Sequence, residues 1–196
     1  MPKLVTGDGA TLHYAVHDFT DRWLKPQSLI LVHGFARSGD FWFNMVPYLA
    51  RFYRVICPDL RGLGQSRPLA DPHRAISLQA YLSDIATIAD HAGAETFHLA
   101  GEAIGGAITL IFAAEHARRV RTLSVIAPAV WANEWIRSAY ALGYPSWVEA
   151  IRALGVEGWC ASRTRWRVFP PVSIRRLRTG MQGKSARPIS RSSPRW

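Results

Sequence analysis

Residues 96–106 read TFHLAGEAIGG, and this stretch decides the fold. Its first half is a short apolar run that is typical of a buried strand, and residues 104–117 predict a helix. Between them stand Gly101 and Gly105, which lack the Cβ atoms that would clash where a strand and a helix pass closely at a tight turn. The stretch therefore predicts a strand that turns sharply into a helix, with Ala103 at the corner.

Strand and helix signals alternate around this stretch up to about residue 130. Residues 28–33 form a near-continuous apolar run, as expected of a strand that is buried on both faces. Ser77 suits the N-cap of a helix that runs to about Ala92. The other predicted strands are 4–5, 11–16, 53–57 and 122–126, and the other predicted helix is 41–49. This order predicts an α/β fold with a doubly wound, mostly parallel sheet.

Two further motifs follow predicted strands. The first is His33-Gly34-Phe35, directly after the apolar run, and the second is DLRGLGQS at residues 59–66. Together with GEAIGG at residues 101–106 they occur in the order of the α/β-hydrolases. Over about residues 10–130 the chain resembles that superfamily, particularly its small esterase, enol-lactonase and haloperoxidase-like members. The resemblance implies an α/β-hydrolase fold, and the sequence after residue 130 offers no match to its last strands.

The resemblance also implies a role for each motif residue. Position 103 corresponds to the nucleophile, held on the sharp turn called the nucleophile elbow, where a serine would attack the carbonyl of an ester. The backbone N–H groups of Phe35 and Ile104 would stabilise the oxyanion that forms. The residues that would shape the elbow and the neighbouring loop are His33, Gly34, Gly101, Gly105 and Gly106.

The chain departs from this pattern at the groups that perform the chemistry. Ala103 carries a methyl group, which can neither attack a carbonyl nor pass a proton to a histidine. The family's catalytic histidine lies near the C-terminus, and no histidine follows His116 in this sequence. We therefore expect hydrolysis through an acyl-serine to be absent or strongly impaired. The alanine could be a natural loss, an engineered change or part of a decayed gene.

Other interpretations of the polar and glycine-rich positions are weaker. Gly101-x-Ala103-x-x-Gly106 imitates a dinucleotide fingerprint, but that fingerprint opens the first βα unit and expects an acidic residue after the next strand. Here that strand ends in Ile126-Ala-Pro. We expect structural roles, in loops or hydrogen bonds, for His33, Asp59, Arg61, Ser66 and Glu102, and we expect His98 to be a hydrogen-bonded core histidine.

The sequence divides into three parts. Residues 1–130 are the predicted hydrolase core, and residues 131–161 are an aromatic-rich, helical segment that could begin a cap over the site. Residues 162–196 hold ten basic and no acidic residues, whereas residues 1–161 hold 14 of each. This last part is rich in Arg, Ser and Pro, which predicts disorder. A second hypothesis is that it is an out-of-frame translation product.

Composition narrows the classes of function. The balanced charge of residues 1–161 gives no electrostatic reason to bind nucleic acid or an anionic membrane. Cys57 lies in an apolar strand pattern, which predicts a buried free thiol and neither a disulfide nor a metal ligand. No secretory signal and no apolar stretch long enough to span a bilayer are visible, so we expect a cytoplasmic protein. No cofactor and no metal are predicted.

Three hypotheses on function follow. The first is an α/β-hydrolase-fold protein related to carboxylic-ester or lactone hydrolases, with impaired activity and a small apolar ester- or lactone-like partner. The alternative is a non-catalytic protein that uses the hydrolase pocket to bind a small apolar ligand. The third is attachment to nucleic acid or a membrane surface through residues 162–196, which would depend strongly on salt. The oligomeric state is left open.

Overall fold

A computed structural model describes residues 3–67 and 75–165, and in these ranges six strands form one sheet. In spatial order the strands are β1, β2, β4, β3, β5 and β6. Their bounds are Lys3–Val5 for β1, Thr11–His17 for β2, Ser28–Val32 for β3, Arg54–Pro58 for β4, Phe97–Glu102 for β5 and Val120–Ile126 for β6. The strands β3, β4, β5 and β6 are parallel to one another, and β1 and β2 add an antiparallel edge that pairs with β4. The predicted α/β fold with a mostly parallel sheet is confirmed.

The centre of the sheet is β3, whose five residues are all buried. This confirms the prediction of a strand covered on both faces, and it explains the continuous apolar run, because neither face meets water. In the parallel register Val32 of β3 lies opposite Gly101 of β5, and Glu102 lies opposite Ile126 of β6. The carboxyl ends of these strands meet at one edge, where α/β proteins place their sites.

Two apolar clusters cover the two faces of the sheet. The larger includes Ile30, Ile85 and Phe112 and holds residues of the long helices; the smaller includes Leu31 and Trp42. The helices of this part are a 3₁₀ turn at Gly39–Trp42, α1 at Val46–Leu49, α2 at Leu78–His91 and α3 at Ile104–Glu115. Fully burying a large apolar side chain contributes about 1.5–3 kcal/mol. The sheet is therefore held by its packing on both sides.

The ends of α2 follow the sequence signals. The hydroxyl of Ser77 accepts a hydrogen bond from the backbone N–H of Ala80 at 3.1 Å, which confirms the predicted N-cap. Gly93 has φ +68°, a left-handed conformation that favours glycine just past a helix. Leu78 in the first turn is exposed, and the buried stripe of the helix begins one turn later at Leu82.

The single helix predicted over residues 41–49 is wrong. The structure has the 3₁₀ turn, capped by the side chain of Ser38, and then the separate helix α1, in which Pro47 lies in the first turn. Proline has no N–H to donate to the preceding turn, so it suits the start of a helix and interrupts one that already runs.

The chain divides into two compact units, and the boundary follows Ala132. In the second unit α4 spans Glu134–Ala141 and α5 spans Trp147–Arg165, with a kink at Gly155, whose φ of 68° and ψ of 166° are not helical. Between them Leu142 and Gly143 have positive φ angles of 52° and 87°, which interrupts the helical backbone. α5 continues past the predicted boundary at residue 161, and residues 166–196, most of the segment predicted to be disordered, lie outside the described residues.

None of the helices in the described ranges is both long enough and apolar enough to cross a bilayer.

Candidate functional site

The corner predicted at Ala103 is present and conformationally unusual. Ala103 lies between the end of β5 and the start of α3 with φ 52° and ψ −118°. Positive φ is uncommon for a residue with a Cβ, and such conformations cost about 1–3 kcal/mol unless the surroundings impose them. Here the backbone N–H of Ala103 donates to the carbonyl of Ile126 at 3.0 Å, and its carbonyl accepts from the N–H of Ala129 at 2.9 Å. The neighbouring backbone holds the strained turn in place.

The glycines of the corner are required by close packing. A Cβ on Gly101 would lie 2.6 Å from the carbonyl carbon of Gly105, and a Cβ on Gly105 would lie 2.7 Å from the carbonyl oxygen of Val32. A Cβ on Gly106 would lie 3.0 Å from the carbonyl oxygen of Gly101. Backbone cannot move aside as a side chain can, so the first amino-terminal turn of α3 reaches β3 and β5 only because these residues are glycines.

The loop after β3 reaches the same corner. A Cβ on Gly34 would lie 3.1 Å from the methyl carbon of Ala103, and closer still to a carboxylate oxygen of Glu102. Phe35 follows Gly34 and Ile104 follows Ala103, so the two backbone N–H groups expected to bind an oxyanion belong to segments that touch. Both residues are partly exposed, at 37% and 39%. The structure thus brings the predicted site residues together, and their roles remain predictions.

His33 is occupied by hydrogen bonds on both ring nitrogens. Its Nδ1 lies 2.7 Å from the carbonyl oxygen of Gly34, and its Nε2 lies 2.9 Å from the backbone nitrogen of Leu60. These partners require the neutral tautomer in which Nδ1–H donates and Nε2 accepts. Burial, the largest cause, lowers the pKa of this fully buried histidine. His33 therefore braces the loop and has no nitrogen available to act as a base.

Glu102 faces the loop that follows β3. One carboxylate oxygen lies 3.7 Å from the guanidinium of Arg37, as expected for a residue with a polar neighbour. The other oxygen is buried against Gly34 and has no hydrogen-bond partner among the described residues. A buried carboxylate oxygen without a donor is costly, so this contact stores strain beside the corner.

The carboxylate of Asp59 organises the loop that follows β4. It accepts from the backbone N–H of Gly39 at 2.6 Å, from that of Gln65 at 2.8 Å, and lies 2.9 Å from Nδ1 of His13. The hydroxyl of Ser66 donates to the carbonyl of Asp59 at 2.8 Å and accepts from the N–H of His13 at 2.9 Å. Asp59 and Ser66 therefore fix the loop, and Ser66 has no free hydroxyl for nucleophilic attack.

Sequence reasoning missed the pairing of His13 with Asp59. The two residues are 46 positions apart, and they meet because β2 and β4 pair antiparallel with Tyr14 opposite Pro58. Neither residue type nor spacing indicates that register, and only a correct prediction of the β2–β4 pairing could have found the pair.

Arg61 is the centre of a buried ion pair. Its Nε and one terminal nitrogen donate to the two carboxylate oxygens of Asp84 at 2.9 Å and 2.6 Å, and it also pairs with Asp8. The hydrogen bonds to Asp84, the largest cause, raise the pKa of Arg61. Burial raises the pKa of Asp84 against the opposing effect of Arg61. The predicted loop-fixing role of Arg61 agrees with this geometry.

His98 was expected in the core, and this expectation is wrong. Its ring nitrogens do find partners, the hydroxyl of Thr122 at 2.7 Å and the side-chain oxygen of Gln27 at 2.5 Å. These contacts lie at the surface of the sheet, because β6 covers β5 from one side with residues that are themselves exposed. An alternating residue of a strand cannot be assigned to the buried face without knowing which face has a helix over it.

The aromatic residues of the second unit form a core of their own. Trp147 and Trp159 stack with ring centroids 5.6 Å apart, and Tyr140 packs against both. The indole N–H of Trp159 donates to the backbone carbonyl of Tyr140 at 2.9 Å. These side chains are engaged in packing α4 on α5. In the described ranges no group of histidine, cysteine and carboxylate side chains has the arrangement of a metal site.

Comparison with known proteins identifies the family. Residues 27–162 match the model of the alpha/beta hydrolase fold. A fluoroacetate dehalogenase from Burkholderia sp is 38% identical over 101 residues, which cover 50% of this chain and 33% of that protein. The monoacylglycerol lipase abhd6-B from Xenopus laevis is 32% identical over 108 residues, which cover 54% of this chain and 31% of that protein.

The solved structures agree on the fold. The enol-lactonase from Burkholderia xenovorans LB400 superposes with a TM-score of 0.65 at 21% identity, over 92% of this chain and 65% of that chain. At this identity the likeness concerns the fold alone. The chain spans less than half the length of the curated relatives it matches.

The chain therefore belongs to the alpha/beta hydrolase fold family. Its relatives include proteins named for different reactions, so membership gives the hydrolase scaffold without giving the substrate.

Proposed function

We propose that this protein is related to the carboxylic-ester and lactone hydrolases of its family and hydrolyses such substrates little or not at all. The observation that carries the proposal is Ala103: a residue with the strained backbone of a nucleophile elbow and a methyl group as its side chain. We also propose that the N–H groups of Phe35 and Ile104 are the oxyanion donors.

The chemistry follows from the atom that is missing. Covalent hydrolysis needs an oxygen at position 103 that forms a bond to the substrate carbonyl while a base removes its proton. A methyl carbon has no lone pair, so no acyl-enzyme can form there. Loss of a serine nucleophile typically lowers kcat by about 10⁶-fold, and what remains comes from oxyanion stabilisation and binding. His33 does not replace the base, because both of its nitrogens are engaged.

Two observations support esters and lactones as the substrate class. The motifs resemble those of small esterases and enol-lactonases, and one curated relative is named a monoacylglycerol lipase, which is an ester hydrolase. Another is named a fluoroacetate dehalogenase, a different reaction. A small apolar ester or lactone is therefore the first class to test. A cytoplasmic location remains a prediction from the sequence.

The test is an assay of p-nitrophenyl acetate with the parent chain, Ala103→Ser and the control Ala107→Ser. We expect the parent chain and the control to release p-nitrophenolate at the rate of buffer alone. In Ala103→Ser a hydroxyl stands on the strained turn without a late histidine to activate it, so we expect release to remain close to the rate of buffer alone. Turnover by the parent chain at the rate of an ordinary esterase, abolished by changing one residue, would contradict the proposal.

A second candidate is a binding protein that uses the same corner for a small apolar ligand. The close contact of Gly34 with Ala103 favours it, because the two donor-bearing segments remain side by side without the nucleophile. Calorimetric titration with a panel of short esters and lactones tests it. Saturable binding without turnover that is weakened by Ala103→Val supports this candidate, and no binding across the panel counts against it.

A further inference from the structure

A cavity lies apart from the corner at Ala103. It has a volume of about 320 Å³ and lies between the 3₁₀ turn, α1 and the ends of β2 and β4. Its walls include His13, His17, Asp40, Asp59, Phe43 and Val46. Neither the loop 33–35 nor the corner 101–106 contributes to its wall. The cavity has the size of small-ligand sites, at the lower end of their range.

The cavity carries negative charge. Among the described residues that line it there is neither lysine nor arginine, and there are two aspartates. Asp59 is already held by its three donors. Asp40 differs from Asp59 because its carboxylate is exposed and makes no hydrogen bond or ion pair with any residue in the described ranges. Its backbone N–H donates to the side chain of Ser38. Asp40 is thus a carboxylate available to a ligand.

The buried thiol in the cavity wall responds to this charge. Burial is the largest cause that raises the pKa of Cys57 to about 12, and the charges of Asp40 and Asp59 raise it further in the same direction. Burial disfavours any charged group here, and only the contribution of the two aspartates disfavours an anion and favours a cation.

The apolar parts of the wall define the rest of the ligand. Phe43 and Phe19 are exposed at 68% and 60%, and both line the cavity. Val46 and Pro47 contribute aliphatic surface beside them. An aromatic ring near a carboxylate favours a cation through its negative face. The volume of about 320 Å³ limits the ligand to a small molecule.

We propose that this cavity is a binding site for a small organic ammonium ion, whose charged group pairs with Asp40 and whose apolar body lies against Phe43 and Val46. The site is independent of the ester chemistry proposed for the corner.

The test uses benzylammonium chloride, titrated calorimetrically into the full chain, with benzyl alcohol and benzoate as neutral and anionic counterparts of the same size. We expect saturable one-to-one binding of benzylammonium and at least about tenfold weaker binding of the other two, because a charge-assisted hydrogen bond is lost or reversed. Equal binding of benzyl alcohol, or no saturation with benzylammonium, would overturn the proposal.

Variants locate the binding within the chain. Asp40→Asn removes the charge at nearly constant size and should weaken benzylammonium binding about tenfold. Phe43→Ala should weaken it through loss of the ring, and the exposed Asp21→Asn, outside the cavity, should leave it unchanged. Unchanged binding in Asp40→Asn would place the ligand elsewhere and reject the site.

Discussion

The loops that follow β4 and β5 lie at the same edge of the sheet, but different kinds of interaction hold them in place. In loop 59–66 the buried polar groups of Asp59, Ser66 and Arg61 are matched by several partners each. In corner 101–106 the backbone forms a strained turn and the side chain at its centre is a methyl group. The corner therefore keeps its shape through glycines and backbone hydrogen bonds, whereas the loop keeps its shape through charged side chains.

The same contrast concerns two kinds of evidence for function, the chemical type of a side chain and the geometry of the backbone. A buried aspartate paired with a histidine, as Asp59 is with His13, has the composition of a catalytic dyad, yet each carboxylate oxygen already has a structural donor. Ala103 has no reactive group, yet its backbone strain is of the kind stored at functional sites. Backbone geometry marks position 103 as unusual even though its side chain carries no reactive group.

The largest loss of stability is expected when the buried carboxylate of Asp84 loses Arg61, its partner in loop 59–66. Arg61→Met leaves Asp84 buried without its counter-ion, and removing one partner of a buried pair costs about 3–5 kcal/mol. Arg61 is 2% exposed, so water cannot replace it. Urea unfolding should show the loss, and Arg137→Met, which removes an exposed partner of Glu134, should cost less than about 1 kcal/mol.

The double variant Arg61→Met with Asp84→Leu sharpens this prediction. It removes both charges, so no buried ion remains uncompensated, and most of the stability should return. A double variant as unstable as Arg61→Met alone would mean that the loop depends on the shape of the arginine and not on the pairing of charges.

The next largest effect is expected from a substitution that disturbs the packing of the corner without changing any charge. Gly105→Ala places a Cβ 2.7 Å from the carbonyl oxygen of Val32, so α3 or the loop after β3 must move. Overpacking of this kind costs about 1–3 kcal/mol in urea unfolding. The control is Gly7→Ala, whose Cβ would have no atom within 4 Å. If both variants are equally stable, the corner is not held by close packing.

A smaller and opposite effect is expected at the strained residue itself. Ala103→Gly keeps the turn and removes the Cβ that makes φ 52° unfavourable, so the protein should become about 1 kcal/mol more stable after the added backbone entropy is counted. Ala107→Gly, in the same helix without positive φ, should instead lose about 1 kcal/mol. Loss of stability in both variants would show that Ala103 is not strained.

The sequence predicts the corner and the sheet well because both depend on local signals. An apolar run marks β3, and Gly101 and Gly105 mark the close approach of strand and helix. The same reasoning could not predict the cavity around Asp40 or the pair of His13 with Asp59, since both depend on the register between β2 and β4. It also misplaced His98, because the period of a strand does not tell which face a helix covers.

The smallest effect concerns the pH dependence of stability. It distinguishes Asp8 from Asp84, the two aspartates that pair with Arg61. The hydrogen bond from Arg61, the largest cause, holds the pKa of the exposed Asp8 well below its usual range. A carboxylate with a lowered folded pKa stabilises the protein above its unfolded value of about 3.9, and this contribution fades as the pH falls through the folded value.

Asp8→Asn should therefore lower stability by less than about 1 kcal/mol at neutral pH, because the pair is solvent-screened, and its difference from the parent chain should shrink on acidification. Burial raises the pKa of Asp84, so that residue contributes in the opposite direction, and the charge of Asp8 is a smaller cause of the same rise. Urea unfolding of both chains at neutral and acidic pH measures this. A constant difference across the series would mean that Asp8 supports Arg61 through hydrogen-bond geometry alone, and that its charge is not part of what holds loop 59–66.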